Sequence, residues 1–175
     1  MDSKVQTIKV QMQEAEEMIV AYNEYIGSFI DMFKEVASLG KGLKEGHYQA
    51  ALCHELQERN IKHTTEEAMP IMYKGRPLGG NHTMRLDIMV LSAMPMIIEL
   101  KAIASSLGNE EYWQVLRYMD FKKVGLGAVV NYCQSEKGDK GLEIKFVVRM
   151  SSHAFLYDYK TEETTLLDDP TFKLE

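Results

Sequence analysis

The sequence predicts an α/β domain in which helices flank a β sheet and a long helix precedes the domain. Apolar residues recur at alternating spacings of three and four over residues 5–36, which is a helical period. Segments 84–91 and 96–101 instead alternate at every second residue, as half-buried strands do. Helix-like and strand-like segments then interleave along the chain, an order that favours a sheet covered by helices. At 175 residues the chain is long enough for one domain with a sizeable core.

The N-terminal segment carries an unusually regular apolar stripe. Its members are Val5, Ile8, Met12, Ala15, Ile19, Tyr22, Ile26, Phe29, Phe33 and Val36. The period of about 3.5 is that of a coiled-coil seam. A straight helix of this length measures about 48 Å, whereas the rest of the chain would form a globule about 36 Å across. We therefore expect residues 5–36 to pair with a second copy of the chain or with a partner helix. A bent helix packed on its own domain is the alternative.

The remaining residues divide into short helices and strands. Helices are predicted at 43–59 and 109–123, and strands at 64–73, 84–91, 96–101, 125–132, 142–150 and 153–159, with turns at 75–81 and 135–141. Three regions result: the heptad-patterned helix at 1–40, the main domain at 41–160, and an acidic tail at 161–175.

The net charge of −6 is unevenly spread. Residues 1–40 hold three Lys against seven acids (−4), and residues 156–175 hold two Lys against six acids (−4). Residues 41–155 hold 15 Lys and Arg against 13 acids (+2), which permits nucleic-acid binding without demonstrating it.

The compartment is predicted from what the sequence lacks. It shows no apolar run of membrane-spanning length and no signal peptide. Cys53 and Cys133 have no ligand spacing for zinc and are interpreted as small buried thiols in a reducing compartment. We therefore expect an intracellular protein, in the cytoplasm or the nucleus, that makes no membrane contact.

Strands 84–91 and 96–101 are predicted to form a hairpin that gathers charge on one face. The inward pairs would be Val90–Met96, Ile88–Ile98 and Leu86–Leu100. On the other face Asp87 lies opposite Glu99, and Arg85 lies opposite Lys101. Two carboxylates in this position repel each other, and a divalent cation would compensate them. A solvated hairpin face is the alternative explanation of the same charges.

Further motifs occur in a fixed order around this hairpin. They are GLKEGHYQ at 42–49, Tyr73-Lys-Gly75, Asp87 separated by eleven residues from Glu99-Leu-Lys101, and Gln114-Val-Leu-Arg-Tyr118. Over roughly residues 40–133 the chain resembles the GxxExxY family, a branch of the PD-(D/E)XK nuclease superfamily. The resemblance implies a restriction-endonuclease-like core, with a mixed central sheet flanked by helices. It also implies metal-dependent hydrolysis of phosphodiester bonds in DNA.

The same resemblance implies roles for residues of the hairpin. Asp87 and Glu99 would hold Mg²⁺ or Mn²⁺, with the Leu100 carbonyl as a possible third ligand. Lys101 would orient or deprotonate the attacking water, or stabilise the developing charge. Glu45 matches the acidic residue that supports the metal site, although a glutamate in a first helical turn also simply favours the helix dipole.

Three further residues complete the candidate site, with Gln114 in the catalytic set and Arg85 and Tyr118 on the substrate side. Gln114 matches the glutamine that reaches back to the active site, and Tyr118 lies one turn further on the same helix face. A plain polar helix edge is the alternative for this pair. Arg85 either pairs with Asp87 or Glu99 or contacts a phosphate of the substrate.

The sequence therefore predicts a metal-dependent nuclease that acts on DNA, as an oligomer or in a complex. The alternative is a structural or interaction protein that has a nuclease fold without activity and docks through its N-terminal helix. Retention of the complete acidic, lysine and glutamine set favours the enzyme.

Overall fold

A mixed seven-stranded sheet forms the centre of the computed structural model, which describes residues 2–136 and 141–174. In spatial order its strands are β1 (His63–Pro70), β4 (Thr83–Val90), β5 (Met96–Lys101), β6 (Leu126–Tyr132), β7 (Leu142–Arg149), β8 (Ala154–Asp158) and β9 (Thr164–Leu166). Two short strands, β2 (Met72–Tyr73) and β3 (Arg76–Pro77), form a separate hairpin. The helices are α1 (Ser3–Ala21), α2 (Asn23–Ala37), α3 (Glu45–Glu58) and α4 (Asn109–Lys122).

The connection from β5 to β6 makes the sheet mixed. These two strands are parallel, while the other neighbouring pairs of the sheet are antiparallel. Parallel neighbours need a crossover, and α4 supplies it. The predicted fold class, a mixed central sheet flanked by helices, is confirmed.

An apolar cluster lies on each face of the sheet, and different helices pack on the two faces. Helices α1, α2 and α3 share one cluster with alternate residues of the central strands, including Ile98 and Leu100. Helix α4 shares the other cluster with the intervening residues, such as Ile97 and Val129. Strands β5 and β6 are therefore buried on both faces, which explains their nearly continuous apolar sequences.

The heptad-patterned segment forms two helices, where the sequence predicted one. The chain turns at Tyr22, which has φ −107° and ψ 22° and separates α1 from α2. The side chain of Tyr22, a predicted member of the stripe, is 42% exposed. A straight helix would be longer than the domain beneath it, and the bend allows residues on both sides of Tyr22 to bury apolar surface.

Helix α1 is held to its own domain by polar contacts as well as by packing. The buried Gln11 side chain donates to the Ser152 hydroxyl (2.7 Å) and accepts from the main-chain N–H of Ser152 (3.2 Å) and His153 (3.1 Å). The bent, self-packed arrangement is thus the one the structure contains. Pairing of residues 5–36 with another chain stays a prediction.

Helix α2 is expected to be essential for folding. Phe33 is completely buried, so Phe33→Ala should lower the free energy of unfolding by about 3–5 kcal/mol. Phe172→Ala is the matched control, because that ring is 91% exposed and its loss should change little. Urea denaturation of both variants measures the difference. Equal stabilities would mean that α2 is not part of the folded domain.

The C-terminal segment begins inside the fold, although the sequence predicted an acidic tail from residue 161. Residues 164–166 form β9, Leu167 is buried, and the Trp113 indole N–H donates to the Asp168 carbonyl at 2.9 Å. The predicted turn at 135–141 lies largely outside the described residues. No helix in the described ranges is long and apolar enough to cross a membrane.

Candidate active site

The β4–β5 hairpin has the predicted register near its turn and departs from it at Asp87. Val90 pairs with Met96 and Ile88 with Ile98, as expected. The predicted Leu86–Leu100 contact is wrong, because Leu86 packs in the α4 cluster and Leu100 in the cluster beneath α1–α3.

The neighbouring strand β1 is distorted beside this break in alternation. Glu66 of β1 has a positive φ of 55°, and the pairs recorded on either side of it are Thr65–Ile88 and Glu67–Leu86. The position between them is that of Asp87. The sheet is therefore distorted where the acidic side chains lie.

Asp87 and Glu99 are anchored by each other's strands. The main-chain N–H of Asp87 donates to Glu99 Oε1 (2.9 Å), and the N–H of Leu100 donates to Asp87 Oδ2 (2.8 Å). Asp87 is 8% exposed and Glu99 is 2% exposed. These crossed bonds use one oxygen of each carboxylate and hold both groups rigidly where the strands diverge.

Burial and neighbouring negative charges raise the pKa values of these acids. Burial, reinforced by the Asp87 charge, raises the pKa of Glu99 to about 9. The pKa of Asp87 is also raised, first by burial and then by the Glu66 charge. Burial and the Asp87 charge raise the pKa of Glu45, which is the first residue of α3. Carboxylates from α3, β4 and β5 therefore act on one another across a small volume.

Lys101 faces these acids and is oriented by α4. Its ammonium group lowers the pKa of Glu99, Asp87 and Glu45 relative to what burial alone would produce. Lys101 Nζ donates to Gln114 Oε1 at 3.2 Å. The predicted connection between Gln114 and the Glu-x-Lys strand is therefore present in the structure.

A hydrogen-bonded chain continues from Gln114 to strand β4. Gln114 Nε2 donates to the Tyr118 hydroxyl (3.1 Å), which donates to the Arg85 carbonyl (2.7 Å). Tyr118 is almost completely buried, so these contacts favour a role in positioning Gln114 over direct contact with substrate. The exposed Arg85 guanidinium donates to the Glu66 carbonyl at 3.3 Å, and the ion pairs of the described residues do not include it.

The close approach of α4 to β6 sets the position of Gln114. A Cβ added at Gly127 would lie 2.6 Å from Met119 Sδ and 2.6 Å from Val115 Cγ1, both on α4. Gly127→Ala should push the helix outward, cost about 1–3 kcal/mol of stability and slow any reaction that depends on Gln114. Gly125→Ala is the control, because its Cβ would meet no atom within 4 Å. Denaturation and activity measurements that fail to distinguish the two variants would contradict this.

Glu66 is a site residue that sequence reasoning missed. It is exposed on β1, and its charge raises the pKa of both Asp87 and Glu45. The available signal was an acidic residue in the strand preceding the hairpin. Its position opposite Asp87 follows only from the β1–β4 register, which the sequence does not determine.

Asn131 was also missed, as the residue that fixes the loop following Lys101. It is fully buried, accepts from the Ile103 N–H (3.0 Å) and donates to the Ser105 carbonyl (3.1 Å) and to Glu143 (3.0 Å). A buried asparagine near the end of a strand is the signal that could have identified it.

The carboxylates of the site fit a hard divalent cation that also takes water and substrate oxygens as ligands. In the described part of the chain, no three His, Cys, Asp or Glu side chains are arranged to hold a metal ion by themselves. Asp87 and Glu99 supply two carboxylates, and Mg²⁺ is commonly held by one or two carboxylates together with waters and substrate phosphates. A cation there would favour the ionised forms of both carboxylates, which burial disfavours.

A cavity of the described residues lies away from the acidic pair. This cavity of about 780 Å³ is lined by residues of α2, α3, β6, β7, β8 and their loops, including Tyr48, Tyr132 and Lys145. None of the Asp87, Glu99 and Lys101 side chains lines it.

A mixed sheet that presents a buried Asp and Glu pair, with a lysine two residues after the Glu, defines a nuclease-like protein. A family model described as the PD-(D/E)XK nuclease superfamily matches residues 21–145, and the chain belongs to this superfamily. The matched region runs from the end of α1 into β7 and contains every predicted site residue. No curated protein and no solved structure matches the chain.

Proposed function

We propose that the protein is a metal-dependent nuclease that hydrolyses phosphodiester bonds of DNA. The observation that carries this proposal is the convergence of Asp87, Glu99 and Lys101, with Gln114 orienting the lysine. Members of the superfamily are generally nucleases, and this chain retains the residue types that the reaction requires.

Each residue of the site has a separate role in the proposed hydrolysis. Asp87 and Glu99 would hold Mg²⁺ or Mn²⁺, with the Leu100 carbonyl as a further ligand. The chemistry supplied by such an ion would be polarisation of a phosphoryl oxygen and a lower pKa for the attacking water. Lys101 orients that water or stabilises the charge that develops on the phosphoryl group. Glu45 adds negative charge that strengthens cation binding.

Within the superfamily, we assign the chain to the GxxExxY family. Three features of the motif support this. Gly42 has a φ of 91°, which a residue with a side chain rarely adopts. Glu45 begins α3 on the side of the acidic pair. The Tyr48 ring stacks on Tyr132 with centroids 4.5 Å apart and planes within 3°.

A second candidate is a nuclease-fold interaction protein that docks through its N-terminal helices. The observation that favours it is the exposed apolar surface on α1, where Val10 is 45% exposed and Val20 is 71% exposed. The same surface would serve an oligomeric nuclease, in keeping with the predicted pairing of residues 5–36. Light scattering of the full chain reports whether it self-associates.

Both cysteines are free thiols, which supports action inside the cell, as the sequence predicted.

The test is a cleavage assay on single-stranded, duplex and branched DNA and on RNA, with Mg²⁺ or Mn²⁺ and with EDTA. Metal-dependent DNA products that disappear in Asp87→Asn would support the nuclease. Absence of products from folded protein on every substrate would favour the interaction protein.

A further inference from the structure

The β2–β3 hairpin is an exposed arm that the proposed chemistry does not use. Its two-residue turn, Lys74-Gly75, has φ of 50° and 74°, and Tyr73 pairs directly with Arg76. Two successive positive φ values are those of a type I′ turn, the connection that best matches the twist of a hairpin. This requirement explains the Tyr-x-Gly motif of the sequence.

The arm exposes an aromatic ring and two flanking apolar side chains. Tyr73 is 62% exposed, and Lys74 Nζ lies 5.5 Å from its ring centroid. Met72 and Leu78 are 47% and 49% exposed. A cation beside an exposed aromatic ring is the combination that proteins use on the phosphates and bases of nucleic acids.

The charge around the arm is complementary to a polyanion. Residues 68–86 contain three basic residues, Lys74, Arg76 and Arg85, and no Asp or Glu. All three basic side chains are exposed. The whole chain carries a net charge of −6, so this acid-free stretch contrasts with its surroundings. Arg85 also lies between the arm and the acidic pair.

The arm is directly connected to the site. Strand β1 runs from Glu66, beside Asp87, towards the arm, and Gly75 is nine residues after Glu66 in the chain. Nine extended residues span at most about 30 Å, which corresponds to about nine base pairs at 3.4 Å each.

We propose that the β2–β3 arm binds the strand of DNA that the Asp87–Glu99 site cleaves. Lys74 and Arg76 neutralise backbone phosphates, and Tyr73 stacks on an unpaired base or packs on the sugar. This rests on the proposed nuclease function for the identity of the polyanion. Binding without metal is a property of the arm alone, so it is tested separately from cleavage.

The experiment measures the affinity for fluorescent single-stranded and duplex DNA by anisotropy, in EDTA and over a range of salt concentrations. The arm variant is Lys74→Asn with Arg76→Gln, because asparagine tolerates the positive φ at position 74. The control is Lys9→Gln with Lys173→Gln, which removes the same charge from exposed positions elsewhere.

We expect the arm variant to reduce the slope of log K against log salt by about 1.8 on duplex DNA, about 0.9 for each lost phosphate contact. The control should leave the slope unchanged. Tyr73→Ala should weaken single-strand binding about fivefold or more, whereas Tyr73→Phe should retain it.

Two results would contradict the proposal that the arm binds DNA. One is no DNA binding by the wild type, and the other is equal affinities and salt slopes for the arm variant and the control. If the wild type cleaves DNA and the arm variants bind it normally, the DNA-binding role of the arm is wrong and the nuclease function is supported. If the arm variants lose DNA binding but neither they nor the wild type cleaves DNA, the DNA-binding role of the arm is supported and the nuclease function is wrong.

Discussion

Lys101→Met is expected to lower the rate of metal-dependent DNA cleavage by about 10²–10⁴-fold, the range for loss of one proton-transfer or charge-stabilising group. Methionine keeps the length of the side chain and removes the ammonium group that Gln114 orients. DNA and metal binding should persist, because Asp87 and Glu99 are intact. Single-turnover cleavage at saturating Mn²⁺ measures the chemical step.

Lys9→Met is the matched control, since Lys9 is exposed on α1 and belongs to no part of the site. It should cleave at the wild-type rate. A Lys101→Met protein that cleaves as fast as this control would remove the lysine from the mechanism and leave the ion as the source of rate enhancement.

Glu99→Gln is expected to abolish cleavage and to stabilise the metal-free protein at alkaline pH. Glutamine keeps the oxygen that accepts the Asp87 N–H but loses the charge that holds the cation. Because Glu99 is buried, its ionisation in the folded state is costly, and the neutral amide avoids that cost.

The stability of the metal-free protein is expected to fall as the pH rises. The pKa of Glu99 is about 9 in the folded protein against 4.5 for an ordinary glutamate. Between these values the folded state holds a proton that the unfolded state has released, so stability falls as pH rises. The slope is on the order of 1 kcal/mol per pH unit and levels off above the folded pKa.

Thermal unfolding in EDTA between pH 4.5 and about 9 should show stability falling with pH in the wild type and falling less steeply in Glu99→Gln. A residual slope remains, because the pKa of Asp87 is raised in the same direction. Mg²⁺ should stabilise the wild type and not the variant, since a cation that binds only the folded state raises the melting temperature. A large destabilisation by Glu99→Gln in EDTA would mean that the glutamate is structural.

The sequence predicted the hairpin register near its turn, because one face had to be apolar. It could not predict the break at Asp87, where the neighbouring strand has a positive φ at Glu66, because the pairing of β1 with β4 is a tertiary contact. The resulting error at Leu86 lies beside the Asp87 carboxylate. The heptad pattern likewise located helical residues correctly but not the bend at Tyr22, which depends on the size of the domain beneath.

The candidate site was more predictable than its surroundings. Asp87, Glu99 and Lys101 come from one hairpin, so the pairing of two strands that are close in sequence brings them together. Gln114 and Glu45 reach it from separate helices, and only the resemblance to a known family placed them there. Neither route indicated Glu66, or the hydrogen bond from Tyr118 to the Arg85 carbonyl, because both depend on tertiary packing.

The most direct test of the central claim is a Mn²⁺ titration followed both by direct metal binding and by DNA cleavage, with Asp87→Asn alongside. A buried acidic pair that serves as the catalytic metal site predicts that binding and cleavage saturate together and that both are lost in the variant. Metal binding without cleavage in the wild type, or cleavage that survives in Asp87→Asn, would contradict it.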